Sequence, residues 1–175
     1  MKDMTFSTPA GSAAVPAAVP TAVHIAVQAQ DFDASAELAA LRAADPGVGA
    51  VCCFVGCVRD RNEGDAVASM ELEHYPGMTE QSIAAIVAQA VQRFGIHGAR
   101  VIHRVGLLQP LDQIVLVAVS AAHRGASFQA CEFIMDYLKT QAPFWKKEQT
   151  PQGARWVDAR TCDDKALARW EAPGP

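Results

Sequence analysis

Hydrophobic and polar positions along the chain fall into two rhythms, a period of two and a period of three to four. Val23, Ile25 and Val27 alternate with polar or small residues and predict a strand from Ala22 to Gln28. Asp33 is placed to cap a short helix carrying Leu38 and Leu41, and Asp45-Pro46-Gly47 predicts a turn. Val48 to Val58 is apolar enough for a central strand, with Gly56 where a bulge would fit. Asp60 to Asp65 reads as a polar loop, a candidate mobile flap over whatever Arg59 serves. Ala68 to His74 alternates again, with Met70, Leu72 and His74 on one side and Glu71 and Glu73 on the other.

After the turn Tyr75-Pro76-Gly77, Thr79 is expected to cap a long helix. Its stripe is Ile83, Ile86, Val87, Ala90, Val91 and Phe94, and Gly95 ends it. A strand from Ala99 to Leu108 is joined by Gln109-Pro110-Leu111-Asp112 to the run Ile114–Val119, which has no polar side and so predicts a strand buried on both faces. His123 and Arg124 stand at its mouth, with Gly125 as a break. Phe128, Cys131, Ile134, Met135 and Leu138 then mark a third helix, stopped by Pro143. Arg155 to Arg160 predicts a further short strand, and Asp163 is placed to cap a last helical turn through Trp170.

Connections as short as Gln109 to Asp112 favour antiparallel neighbours, because a parallel crossover needs about a dozen residues. The order of elements therefore predicts an α+β fold with a mixed, mostly antiparallel sheet. Residues 1–20 are Ala- and Pro-rich and read as a flexible arm; 21–175 read as one domain. Pro16 and Pro20 interrupt the only apolar region near the start, which argues against a secretory signal.

A net charge of −4 gives no general attraction to nucleic acid or to anionic membranes, so any basic cluster is a local feature. No apolar run approaches the ~20 residues of a membrane span. Cys52, Cys53, Cys57, Cys131 and Cys162 form no CxxC pair and no even framework, the pattern of reduced thiols in a cytosolic protein. Three of them lie in the apparent buried strand 48–58.

The segment GCVRDRNEG matches neither the Walker nor the Rossmann phosphate loop, no pair of His has metal spacing, and no Ser or Cys sits in a nucleophile motif. No resident cofactor or metal is expected. What remains is basic: Arg59 ends one strand, His123 and Arg124 end another, Lys139 lies in the last turn of the third helix, and Lys146 and Lys147 lie beyond Pro143. Arginine offers a planar fork for carboxylate or phosphate, and a lysine set among other cations loses its proton more easily. Such a cluster suits an anionic substrate and proton transfer or amine chemistry. Lys147 and Arg155 read more simply as solvated charges, and His74 and His103 as structural histidines. Phe144 and Trp145 are either a core plug or the wall of a pocket for a flat ring.

LEHYPGM at Leu72–Met78, VIHRVG at Val101–Gly106, SAAHR at Ser120–Arg124, FIMDYLKTQAPFWKKE at Phe133–Glu148 and RWVDAR at Arg155–Arg160 together resemble the large, catalytic subunit of molybdopterin synthase. The similarity spans roughly Val23 to Trp170. It implies an α/β-hammerhead-like fold and conversion of cyclic pyranopterin monophosphate to the molybdopterin dithiolene. Sulfur would arrive as a thiocarboxylate on the C-terminal Gly-Gly of a small ubiquitin-like subunit. The large subunit would be a cytoplasmic homodimer within a heterotetramer.

The resemblance carries site roles to particular positions. Lys139 falls to the reacting carbon or the thiocarboxylate, and Lys146 to proton transfer or substrate orientation. Arg59, His123 and Arg124 fall to the phosphate and the partner's tail, with Val58, Lys147, Glu148 and Arg160 beside them. Cys57 departs from the pattern, since relatives commonly carry Lys in GKVR where this chain reads Gly56-Cys57-Val58-Arg59. A cation facing the substrate is therefore missing there. Two other classes compete: a Schiff-base lyase using Lys139 as its amine, and a non-catalytic module for phosphorylated ligands. Borohydride trapping without a partner would mark the first, and binding without turnover the second.

Overall fold

Strand β8 (Gln113–Ala121) holds the molecule together. A computed structural model of the chain describes residues 22–62, 65–151, 153–157 and 166–170. In it, β8 pairs antiparallel with β6 (Gly98–Arg104) on one side and with β2 (Ala50–Cys57) on the other, while β1 (Ala22–Gln28) runs parallel to β6. Both faces of β8 are covered, as its unbroken apolar run predicts. Val115, Val117, Val119 and Ala121 pack with helices α2 (Met78–Phe94) and α3 (Arg124–Gln141), and Leu116 and Ala118 pack with helix α1 (Ala34–Ala43). The result is helix, sheet and two helices in three layers.

A second, wholly antiparallel sheet has the order β10-β9-β5-β7: β10 (Gly153–Val157), β9 (Phe144–Thr150), β5 (Ser69–His74) and β7 (Gly106–Leu108). Its inner face buries Met70, Leu72 and Leu108 with Val58. A small hairpin, β3 (Arg61–Asn62) with β4 (Asp65–Ala66), stands between the two sheets in the chain. This is the α+β, mostly antiparallel architecture expected. Asp33 caps α1 by accepting from the Ser35 and Ala36 amides, Gly95 ends α2, and Pro143 follows α3.

Several expectations are corrected. Strand β2 is an edge strand, not a central one, and Cys53, Phe54 and Cys57 are exposed. Its apolar content reflects two flanking helix layers, since Val51 and Val55 pack toward α1 and Cys52 toward α2 and α3. The single strand expected over 99–108 divides between the two sheets. At Gly106 the backbone takes φ 84°, a region that side chains disfavour, and the chain crosses from β6 to β7 there. The flap of 60–65 is a paired hairpin, with 63–64 outside the described residues.

Thr79 lies inside α2, and Gly77 occupies the cap position. The Thr79 hydroxyl still serves the turn, accepting from the Tyr75 amide at 3.2 Å, while Glu80 accepts from the Gly77 amide at 2.7 Å. Gly125 is helical, in the first turn of α3 after the cap at His123. On that helix Phe128 is exposed and Phe133 is buried, because the inward face near the start is made of the small residues Ser127 and Ala130. Large apolar residues alone misread that face. The expected strand 155–160 begins earlier, at Gly153; Asp158 to Arg160, together with Cys162 and the cap at Asp163, lie outside the described residues, as does the arm of 1–20.

Candidate active site

The bulge predicted at Gly56 is where the site begins. Register between β2 and β8 shifts between Gly56 and Cys57, and a side chain at Gly56 would stand 2.9 Å from Val115 Cγ1. The shift turns Cys57, Val58 and Arg59 away from the ladder toward a cleft of about 650 Å³. The end of α3 supplies Met135, Leu138 and Lys139 to this cleft, and the inner face of the second sheet supplies Phe144, Lys146 and Glu148.

The sheet's period of two decides which lysine enters. Phe144, Lys146 and Glu148 share a face of β9, because residues two apart along a strand point the same way. Lys147 points to the other face, its Nζ 5.4 Å from the centre of the Trp156 ring. Lys139 reaches the same cleft from the last turn of α3, where a cation also suits the helix dipole.

Beneath the cations lies a buried carboxylate. Glu148 is 3% exposed and accepts from Asn62 Nδ2 at 3.0 Å to each oxygen; its Oε1 lies 3.0 Å from Lys146 Nζ and its Oε2 3.5 Å from Arg155. Burial disfavours its charge, yet the hydrogen bonds from Asn62 and Lys146 outweigh burial and hold its pKa below the ordinary carboxylate value. Asn62 also accepts from Arg59 Nη2 at 3.4 Å, so one amide ties Arg59 to the carboxylate that holds Lys146. Arg155 additionally pairs with Asp65 at 3.0 Å across the hairpin. It is therefore part of this network rather than a free surface charge.

The aromatic wall answers the question left open for Phe144. Its ring stacks on His103 with centroids 3.7 Å apart and an interplanar angle of 17°, and both residues line the cleft. Burial pushes the His103 imidazole down to about 4, against the opposing hydrogen bond to the Arg104 carbonyl at 2.8 Å. Trp145, on the opposite face of β9, is exposed.

Within one chain the cleft therefore gathers Cys57, Val58, Arg59, Lys139, Lys146 and Glu148. His123 and Arg124 are exposed at the start of α3, about 22 Å along the helix axis from Lys139 at 1.5 Å per residue. Arg160 lies outside the described residues. Asn62, Arg61, Phe54 and His103 were not singled out as site residues by sequence. Only the position of Asn62 and Arg61 in the polar segment after Arg59 hinted at them.

Among the described residues the thiols offer no nucleophile pair. Burial, with Cys52 beside it, pushes the Cys131 thiol well above its ordinary range, and burial pushes Cys53 up as well. Among the described residues no cluster of three or more His, Cys, Asp or Glu could hold a metal, and no helix is long and apolar enough to cross a membrane.

A cleft with donor cations above a buried carboxylate, set between an α/β layer and an antiparallel sheet, suits a small anionic ligand. The model of the MoaE protein family matches residues 27–141. The molybdopterin synthase catalytic subunit of Ralstonia nicotianae is 66% identical over 146 residues, covering 83% of each chain. Among solved structures, the molybdopterin biosynthesis MoaE protein of Burkholderia ambifaria superposes with a TM-score of 0.75 at 59% identity, covering 86% of this chain and 99% of that one. Molybdopterin synthase from Staphylococcus aureus gives 0.70 at 29% identity, covering 75% and 95%. The chain belongs to the MoaE family, the catalytic subunits of molybdopterin synthase.

Proposed function

We propose that this chain transfers sulfur from the thiocarboxylated C-terminus of a small ubiquitin-like subunit to cyclic pyranopterin monophosphate, building the molybdopterin dithiolene. The observation that carries the reading is the convergence of Arg59, Lys139 and Lys146 on one cleft in a MoaE-family chain. Both reactants bring negative charge, the cyclic phosphate and the thiocarboxylate, and both need donors that remain cationic or can give up a proton.

Lys139 stands in the open part of the cleft and is assigned to the reacting carbon or thiocarboxylate. Lys146, held against Glu148, is assigned to proton transfer and orientation. Arg59, steadied by Asn62, is assigned to the phosphate. The working assembly is a cytoplasmic homodimer with one small subunit per chain. His123 and Arg124 lie too far from their own cleft to share it, so their contact with phosphate or tail is made across the assembly.

The test is removal of the last two residues of the small subunit. Activity should vanish while the dimer persists. Full activity with the truncated partner, or a monomer at micromolar concentration, would contradict the reading.

A further inference from the structure

We propose that His103 is a substrate-orienting residue, the acceptor in this cleft for an N–H of the pyranopterin ring. This rests on the sulfur-transfer reading for the identity of the substrate, and on the following geometry for the contact.

The cleft is rich in donors. Arg59, Arg61, Lys139 and Lys146 line it, and none of these side chains can accept a hydrogen bond. A pterin-type ring presents N–H donors beside its carbonyl and ring-nitrogen acceptors, so donors alone leave part of it unsatisfied. Glu148 is the carboxylate of the cleft lining, and its two oxygens already accept from Asn62, Lys146 and Arg155. Among the described side chains that line the cleft, His103 offers a ring-nitrogen acceptor that is still unengaged.

Its tautomer is set by its neighbour. A backbone carbonyl only accepts, so the 2.8 Å contact with the Arg104 carbonyl requires Nδ1 to carry the proton. In the neutral ring Nε2 then holds the lone pair. Nε2 has no hydrogen-bond partner among the described residues, and it is not among the buried unpartnered atoms, which include His74 Nδ1. Stacking against Phe144 at 3.7 Å fixes the plane of the ring, and the same Phe144 lines the cleft. Burial keeps the ring neutral through the physiological range, so the acceptor does not become a fifth donor.

Position 103 also has the right rigidity. It sits on β6 opposite Val115 of β8, in the central sheet rather than in a loop. A contact made there fixes orientation instead of following the substrate.

The experiment is equilibrium binding of cyclic pyranopterin monophosphate to the chain, with steady-state turnover in the complex with the thiocarboxylated small subunit. His103→Phe keeps the stacking and removes the acceptor. It should weaken binding and raise KM by about tenfold, within the ~5- to 100-fold expected for an unpaired donor, with kcat within about threefold. His103→Gln, whose amide reaches the region of Nε2, should recover most of the loss. His103→Asn, with its amide near Nδ1, should not. If His103→Phe does not fold, His103→Asn decides in its place.

Wild-type affinity in whichever acceptor-deleting variant folds overturns the proposal, as does an equal loss in Gln, Asn and Phe variants that tracks a lowered Tm. A wild-type chain that fails to bind the pyranopterin overturns it too. Failure of the sulfur-transfer reading looks different: the pyranopterin binds, His103 variants weaken it, and no dithiolene forms.

Discussion

Lys146 and Glu148 stand two residues apart on β9, with Nζ 3.0 Å from Oε1, so the cation that faces the cleft is anchored by a carboxylate sealed beneath it. The lysine remains partly open, its side chain 31% exposed, while the glutamate side chain is 4% exposed. In the proposed reaction Lys146 works and Glu148 positions it.

Glu148→Ala should therefore damage both stability and turnover. It leaves the Asn62 amide and two cations without their shared acceptor, a loss of about 2 kcal/mol once the partial exposure of Lys146 and Arg155 is discounted. Thermal melting and steady-state rates measure the two effects. A variant with unchanged Tm and rate would show that the carboxylate neither supports nor orients Lys146.

The same carboxylate predicts an acid limit. Its folded pKa is depressed below the unfolded value, so its contribution to stability is fully present above the unfolded pKa of roughly 4.3. That contribution is lost as pH falls through the folded pKa. Between pH 6 and pH 3 the Tm of the wild type should fall more steeply than that of Glu148→Gln. Parallel curves would count against the linkage.

Lys139→Ala and Lys146→Ala should each slow turnover by about 10²–10⁴. Lys139 is exposed at a helix end, where Ala is a good helix former, so that variant should keep its fold. Wild-type turnover with unchanged substrate affinity in either variant would remove that lysine from the mechanism.

Cys57 lines the cleft and is exposed, but in the proposed reaction the sulfur already arrives activated on the partner. Cys57→Ser should lose less than about tenfold in dithiolene formation. Cys57→Lys should keep or tighten substrate binding, since a hydrogen bond to a charged group contributes ~1.5–3 kcal/mol. A hundredfold loss in folded, dimeric Cys57→Ser would make the thiol part of the chemistry.

A prediction away from the site concerns Leu111, which takes φ 79° in the turn closed by the Asp112 amide on the Gln109 carbonyl at 3.0 Å. With Pro110 before it, this is the position where a type II turn favours glycine. Leu111 is 87% exposed and has little packing to lose. Leu111→Gly should raise Tm by about 1–4 °C through relief of roughly 1 kcal/mol. A lowered Tm would show that the leucine is held by packing or by its effect on the unfolded chain.

The layers of the fold were legible because their strands and helices obey simple periods: β1, β5, β8 and α2 follow from alternation, an unbroken apolar run or a 3.6-residue stripe. β9 was not. Its sequence FWKKEQT puts Phe144, Lys146 and Glu148 on the inward face, since that face lines a polar cleft, and an inverted pattern hides the strand. The site itself was legible as a list of cations, because Arg, Lys and His announce their chemistry. Their grouping was not. Which of Lys146 and Lys147 faces inward depends on β9 being a strand, and the distance of His123 from Lys139 depends on Gly125 lying within α3 rather than breaking it. Asn62 was hidden by its hairpin, since nothing local ties it to Glu148, 86 residues away.

The central claim is that this cleft moves sulfur onto a pyranopterin. Mass spectrometry of a reaction containing the chain, cyclic pyranopterin monophosphate and a thiocarboxylated small subunit tests it most directly. Wild type should gain two sulfurs on the substrate while the small subunit returns to its carboxylate form, and Lys139→Ala should leave both reactants largely unchanged. Substrate without added sulfur in the wild-type reaction, or a Lys139→Ala reaction that runs like wild type, would contradict it.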